Sequence, residues 1–152
     1  CALPILLLLL KNEHYPLPHS AFLLSPMLDY TLSGGSVTSC AEKDPMIFIE
    51  DLRQTVAYYC SDAETSNPLV SPLYGDLTGL PPLLIQTGSD ELLLDDSTRL
   101  AKQATEVGVD VQIEIWNGLW HVFQSSAGKI PEASRAVSRI ASFIHSPSPE
   151  VL

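Results

Sequence analysis

Positive charge is scarce in this chain of 152 residues: eight Lys and Arg stand against 18 Asp and Glu, a formal net charge of −10. Binding to phosphate backbones needs clustered cations, so nucleic acid is a poor partner, and an anionic membrane surface is poor for the same reason. Cysteine is scarce too. Cys1, Cys40 and Cys60 are an odd number without Cys-x-x-Cys spacing. That argues against a disulfide framework or a zinc site and reads as buried thiols in a reducing compartment, hence a cytoplasmic protein. The histidines, His14, His19, His121 and His145, lack His-x-x-x-His spacing, and no metal is expected. The apolar run in CALPILLLLL ends at Lys11, short of the roughly 20 residues needed to span a bilayer. It has no basic leading region and no small-residue cleavage site, so it reads as a buried helix rather than a leader. Without an initiator Met, the chain reads as starting inside something longer.

What is present suits one compact domain. Hydrophobic residues make up 45% of the chain, enough for a real core at this length. AFLLS (21–25) and PLLIQTG (82–88) are short continuous apolar runs, the pattern of strands buried on both faces. VDVQIEIW (109–116) alternates, with Val109, Val111, Ile113 and Ile115 on one face and Asp110, Gln112 and Glu114 on the other. That predicts a half-exposed strand whose acidic face discourages edge pairing. Helical spacing predicts helices over Phe48–Cys60, over Asp95–Val107, and from Ala133 to Ile144, with Tyr58 and Tyr59 in the core. Residues 26–47 and 61–81 read as long loops, and 146–152 as a disordered tail. Strands alternating with helices imply an α/β fold, a parallel sheet covered on both sides. Ligands of such sheets sit beyond the carboxyl ends of the strands.

Two ionisable residues fall at that rim. Asp90 follows LLIQTGS, and His121 lies in NGLWHVFQ, five residues past the last strand. If the strands are neighbours, Asp90 can hold the imidazole and stabilise its charged form, the orienting pair of a nucleophile–base–acid triad. A histidine in so apolar a setting also suits plain packing. Asp95 and Asp96 open the next helix and fit N-terminal capping and the helix dipole. Ser25 and Ser71, each before a proline, look like turn residues. Trp120 and Phe123 flank His121 and either line a substrate pocket or pack around the loop.

Three segments carry a resemblance: SPMLDYTLSGGSVTS (25–39), NPLVSPLYGDLTGLPPLLIQTGSDELLLDDS (67–97) and VDVQIEIWNGLWHVFQ (109–124). Over nearly the whole chain they resemble the carboxyl-terminal half of hormone-sensitive-lipase-type esterases, enzymes of the α/β-hydrolase fold. The resemblance implies residues 1–145 as half of one such domain, with about three parallel strands and flanking helices. It implies a small-molecule ester substrate, no cofactor, Asp90 as the acid and His121 as the base. The family also uses a Gly-x-Ser-x-Gly elbow bearing the nucleophile and an upstream Gly-rich segment for the oxyanion. No Gly-x-Ser-x-Gly and no His-Gly-Gly run occur in these 152 residues. Ser36 in GGSVT lacks the second glycine and is not read as a nucleophile. The expectation is therefore a fragment that keeps acid and base and is inactive alone. The competing class is a non-catalytic binding or complementation partner. The first strand, without its neighbour, is expected to promote self-association.

Overall fold

A computed structural model describes residues 2–60 and 64–145. The expected tail at 146–152 and Cys1 lie outside the described residues; Cys40 and Cys60 are both buried. In chain order the elements are α1 (Ala2–Asn12), β1 (Ala21–Leu24), α2 (Ser36–Ser39), α3 (Ile49–Tyr59), β2 (Leu83–Gly88), α4 (Leu94–Glu106), β3 (Val111–Trp116) and α5 (Pro131–His145). Short 3-10 turns lie at Pro72–Tyr74 and Phe123–Ser126. The strands form one parallel sheet in the order β1-β2-β3, with Ile85 opposite both Leu23 and Ile113.

β2 is buried along its whole length, because helices cover both of its faces. Leu83 and Ile85 join Leu7 and Leu8 of α1, Leu23 of β1 and Leu100 and Ala104 of α4 in the larger core. On the opposite face, Gln86 donates its amide to the carbonyl of Ala136 in α5 (2.9 Å). Beyond it, Leu119, Phe123, Ala133 and Ala136 form a second core, against which Trp116 and Trp120 pack. No helix among the described residues is long and apolar enough to cross a membrane.

Several local expectations are corrected. Leu7 and Leu8 of α1 are buried, but Leu6 and Leu9 are exposed. Within α3 only Leu52 is buried. Tyr58 faces outward, and Tyr59 is exposed while stacking on Tyr30 at 5.2 Å. In β3 the apolar face is not sealed: Ile113 is 38% and Ile115 51% exposed. Among the described residues β3 lies at the sheet's edge, and between it and Thr98, Ala101, Lys102 and Thr105 of α4 runs an open groove of about 420 Å³. Its polar face is better engaged, since Glu114 accepts from Arg139 Nε (2.7 Å) and Gln86 Nε2 (3.0 Å).

Asp95 and Asp96 occupy the first turn of α4, yet they serve the neighbouring 26–36 loop rather than capping their own helix. Asp95 accepts the N–H of Ser36 (3.0 Å). Asp96 accepts those of Leu28 (2.6 Å) and Asp29 (3.0 Å). Burial pushes the Asp96 carboxyl up to about 6. Burial also works to raise Asp29, but hydrogen bonds from Ser33, Thr31 and Arg99 outweigh it and hold that carboxyl at about 2.

The two groups act on stability with opposite signs. Asp29 is depressed, so its contribution is present above its ordinary value of 3.8 and is lost as pH falls toward about 2. Asp96 is raised, so its contribution is present below 3.8 and is lost as pH rises through about 6. Asp96→Asn keeps an acceptor for both N–H groups and removes the titration. Urea midpoints should therefore show the wild type losing about 2–3 kcal/mol relative to Asp96→Asn between those two pH values. Parallel midpoint curves would contradict the assignment.

Candidate active site

The turn after β2 and the loop after β3 are stitched together by main chain. The N–H of Ser89 donates to the carbonyl of Trp116 (2.9 Å), and that of Asp90 to the carbonyl of Leu119 (3.1 Å). The N–H of Gly118 returns to Ser89 Oγ (2.8 Å). Gly88 sits so close to this loop that a Cβ there would lie 2.5 Å from the carbonyl carbon of Leu119. Glycine at 88 is what lets the His121 loop lie on the carboxyl end of β2.

On that platform His121 Nδ1 lies 3.1 Å from Glu91 Oε2. The Glu91 side chain is fully buried and that of His121 is 21% exposed. Glu91 Oε1 takes three other donors: the Ser25 hydroxyl (3.0 Å), the Thr87 hydroxyl and the N–H of Gly88. With Oε1 filled, Oε2 is the atom left for the imidazole. A carboxylate only accepts, so Nδ1 carries the proton toward it and Nε2 of the neutral ring keeps its lone pair. This is the arrangement of a base oriented by a buried acid.

The carboxylate beside His121 is thus Glu91, not the expected Asp90. Asp90 is half-buried and accepts from its neighbour Ser89 Oγ (3.0 Å). It holds the histidine loop through its backbone N–H rather than its carboxylate. The two acids are adjacent in a turn, where strand alternation no longer decides which side chain points inward. One signal for Glu91 was in the sequence: it leads directly into Leu92 and Leu93, both buried, and a carboxylate sharing that burial must find partners.

Phe123 is fully buried, 5.6 Å from the Trp116 ring, because the 3-10 turn after His121 drives it under α5. Trp120 is half-buried and packs against the same core. Ser36 is buried and spent: its hydroxyl donates to the carbonyl of Leu92 (2.6 Å) and accepts the N–H of Asp95 (3.0 Å). An open groove of about 660 Å³ between β3 and α5 includes neither His121 nor Glu91. Its arginines are already paired, Arg139 with Glu114 and Arg135 with Glu132. Among the described residues, no group of three His, Cys, Asp or Glu side chains could hold a metal ion.

A family profile described as alpha/beta hydrolase fold matches residues 3–125. An esterase of Acinetobacter venetianus is 39% identical over 135 residues, 88% of this chain and 45% of its own length. An acetyl-hydrolase of Streptomyces hygroscopicus is 36% identical over 143 residues, 94% of this chain and 48% of its own. The crystal structure of an esterase from the bacterial hormone-sensitive lipase family superposes with a TM-score of 0.89 at 40% identity, over 92% of this chain and 47% of that one. The chain spans about half the length of the curated relatives it matches. With its three parallel strands, flanking helices and rim-mounted histidine, it belongs to the α/β-hydrolase family, on the branch of the hormone-sensitive-lipase-type esterases.

Proposed function

We propose that this chain supplies the acid–base half of a serine-type carboxylic ester hydrolase acting on short- to medium-chain acyl esters. The observation that carries the reading is the His121–Glu91 pair at 3.1 Å, with Glu91 fully buried. In the complete enzyme a serine outside these residues attacks the ester carbonyl. His121 takes its proton and returns it to the leaving alcohol. Glu91 keeps the imidazole oriented and stabilises it when charged. The relatives called esterase and acetyl-hydrolase support the reaction class and the small acyl group. Residues 1–145 then form the carboxyl-terminal half of one domain.

The isolated chain should hydrolyse p-nitrophenyl acetate or butyrate no faster than free imidazole does, since neither nucleophile elbow nor Gly-rich oxyanion segment is in its sequence. Substantial turnover abolished by Ser36→Ala would overturn this. Joined to the amino-terminal half of the Acinetobacter venetianus esterase, the chain should become active. His121→Ala should then lower kcat/KM by about a thousandfold or more, and Glu91→Gln by about a hundredfold or more. Full turnover without His121 would defeat the proposal.

A second reading, an association or complementation partner, has its own support. Among the described residues β1 pairs on one side only, with β2, and Leu6 and Leu9 of α1 are exposed nearby in sequence. Unpaired strand edges and apolar patches promote association. Sedimentation should detect self-association at micromolar concentration; a clean monomer with slow amide exchange at residues 21–24 would refute it.

A further inference from the structure

Two non-glycine residues with left-handed backbones meet at the site although 97 positions separate them. Ser25, just past β1, has φ 45°, and Val122, just past His121, has φ 51°. Both conformations are unfavourable. A β-branched residue at positive φ is an outlier, and a residue before proline, as Ser25 is, is pushed toward extended backbone. Outliers of this kind persist where surrounding contacts over-determine them.

The contact that joins them is a single hydroxyl. Ser25 Oγ accepts the N–H of Val122 (3.0 Å) and donates to Glu91 Oε1 (3.0 Å). Glu91 Oε2 meets His121 Nδ1, and His121 is peptide-bonded to Val122. The circuit closes: Ser25, Glu91, His121, Val122 and back to Ser25. The N–H of Ser25 also extends the strand ladder to the carbonyl of Gln86 (2.9 Å), and Ser25 is 2% exposed. A hydroxyl both donates and accepts, so this one atom fixes the acid and the loop that carries the base. The other two donors to Oε1, from Thr87 and Gly88, lie at the end of β2, just before the turn that carries the acid.

We propose that Ser25 is a positioning residue for the acid–base pair. The left-handed turn after β1 aims its hydroxyl back at the rim, where it locks Glu91 and the His121 loop in mutual register. The proposal rests on the His121–Glu91 reading and adds a residue from a third element to it.

The test uses the 152-residue chain, with ¹⁵N NMR of the His121 ring and hydrogen exchange of the Val122 amide. Ser25→Gly removes the hydroxyl but accepts positive φ without strain, so the fold survives; Ser25→Ala removes the hydroxyl and keeps the strain. In both, Val122 should exchange about fivefold to tenfold faster, the value of one net hydrogen bond. The neutral His121 ring should drift from the Nδ1–H tautomer toward the mixture of an unrestrained imidazole. Glu91→Gln serves as the reference. If Glu91→Gln shifts the tautomer and Ser25→Gly leaves both signals as in the wild type, Ser25 is only a turn residue and this proposal fails alone. If Glu91→Gln also leaves the ring unchanged, the acid–base reading fails with it.

Discussion

Glu91→Ala should destabilise the chain by about 3–5 kcal/mol, whereas Asp90→Ala should cost less than about 1 kcal/mol. Glu91 is fully buried and accepts from the Ser25 and Thr87 hydroxyls, the N–H of Gly88 and His121 Nδ1. Truncation strips all of them of their shared acceptor inside the fold, and each buried polar group left unmet costs about 1–3 kcal/mol, partly recovered by water entering the gap. Glu91→Gln keeps the volume and one acceptor oxygen, so its cost should fall to about 1–3 kcal/mol. Asp90 is half-buried, and the local bond from Ser89 that it accepts is replaceable by solvent. Urea unfolding of the three variants reads these differences directly. Equal losses for Ala at 90 and 91, or a larger loss at 90, would mean that the acid has been misidentified.

Gly88→Ala is expected to be at least as damaging, about 3 kcal/mol or more, for a steric reason. The added methyl would press on the carbonyl of Leu119 and stand 3.0 Å from the nitrogen of Trp120. These are backbone atoms, and no side-chain rotation relieves the overlap. The loop must lift off β2, parting the Asp90 N–H from the Leu119 carbonyl and drawing His121 from Glu91. Gly108→Ala is the control. Gly108 has φ 86°, and an added methyl there would meet nothing within 4 Å, so only left-handed strain applies, about 1–2 kcal/mol. A Gly88→Ala chain as stable as the Gly108→Ala chain would show that the close approach is not a constraint.

Much of the fold was legible because its determinants are local or periodic. The run LLIQT announces a strand covered on both faces, and β2 is buried throughout. The alternation of strands and helices implied parallel pairing of neighbours, and the sheet has the order β1-β2-β3. His121 was legible as a rim residue because it follows the last strand closely. The choice between Asp90 and Glu91 was not, since it depends on a turn in which Glu91 reaches back to the N–H of Gly88. Asp95 and Asp96 looked like caps of their own helix, and only tertiary packing shows them accepting N–H groups from residues 28, 29 and 36. Ser25 read as a turn residue because nothing near it in sequence reveals that Val122 is its partner. The alternation in β3 marked a strand correctly, but it could not tell a covered apolar face from the partly open one that Ile113 and Ile115 form.

The central claim is that His121 is held as a base by Glu91, and the most direct measurement is long-range ¹H–¹⁵N NMR of the His121 ring at a pH where it is neutral. The account predicts a proton on Nδ1 and a bare Nε2 in the wild type. It predicts the same pattern in Asp90→Asn, and loss of that preference in Glu91→Gln. A ring that keeps its Nδ1 proton in Glu91→Gln and loses it in Asp90→Asn would contradict the account.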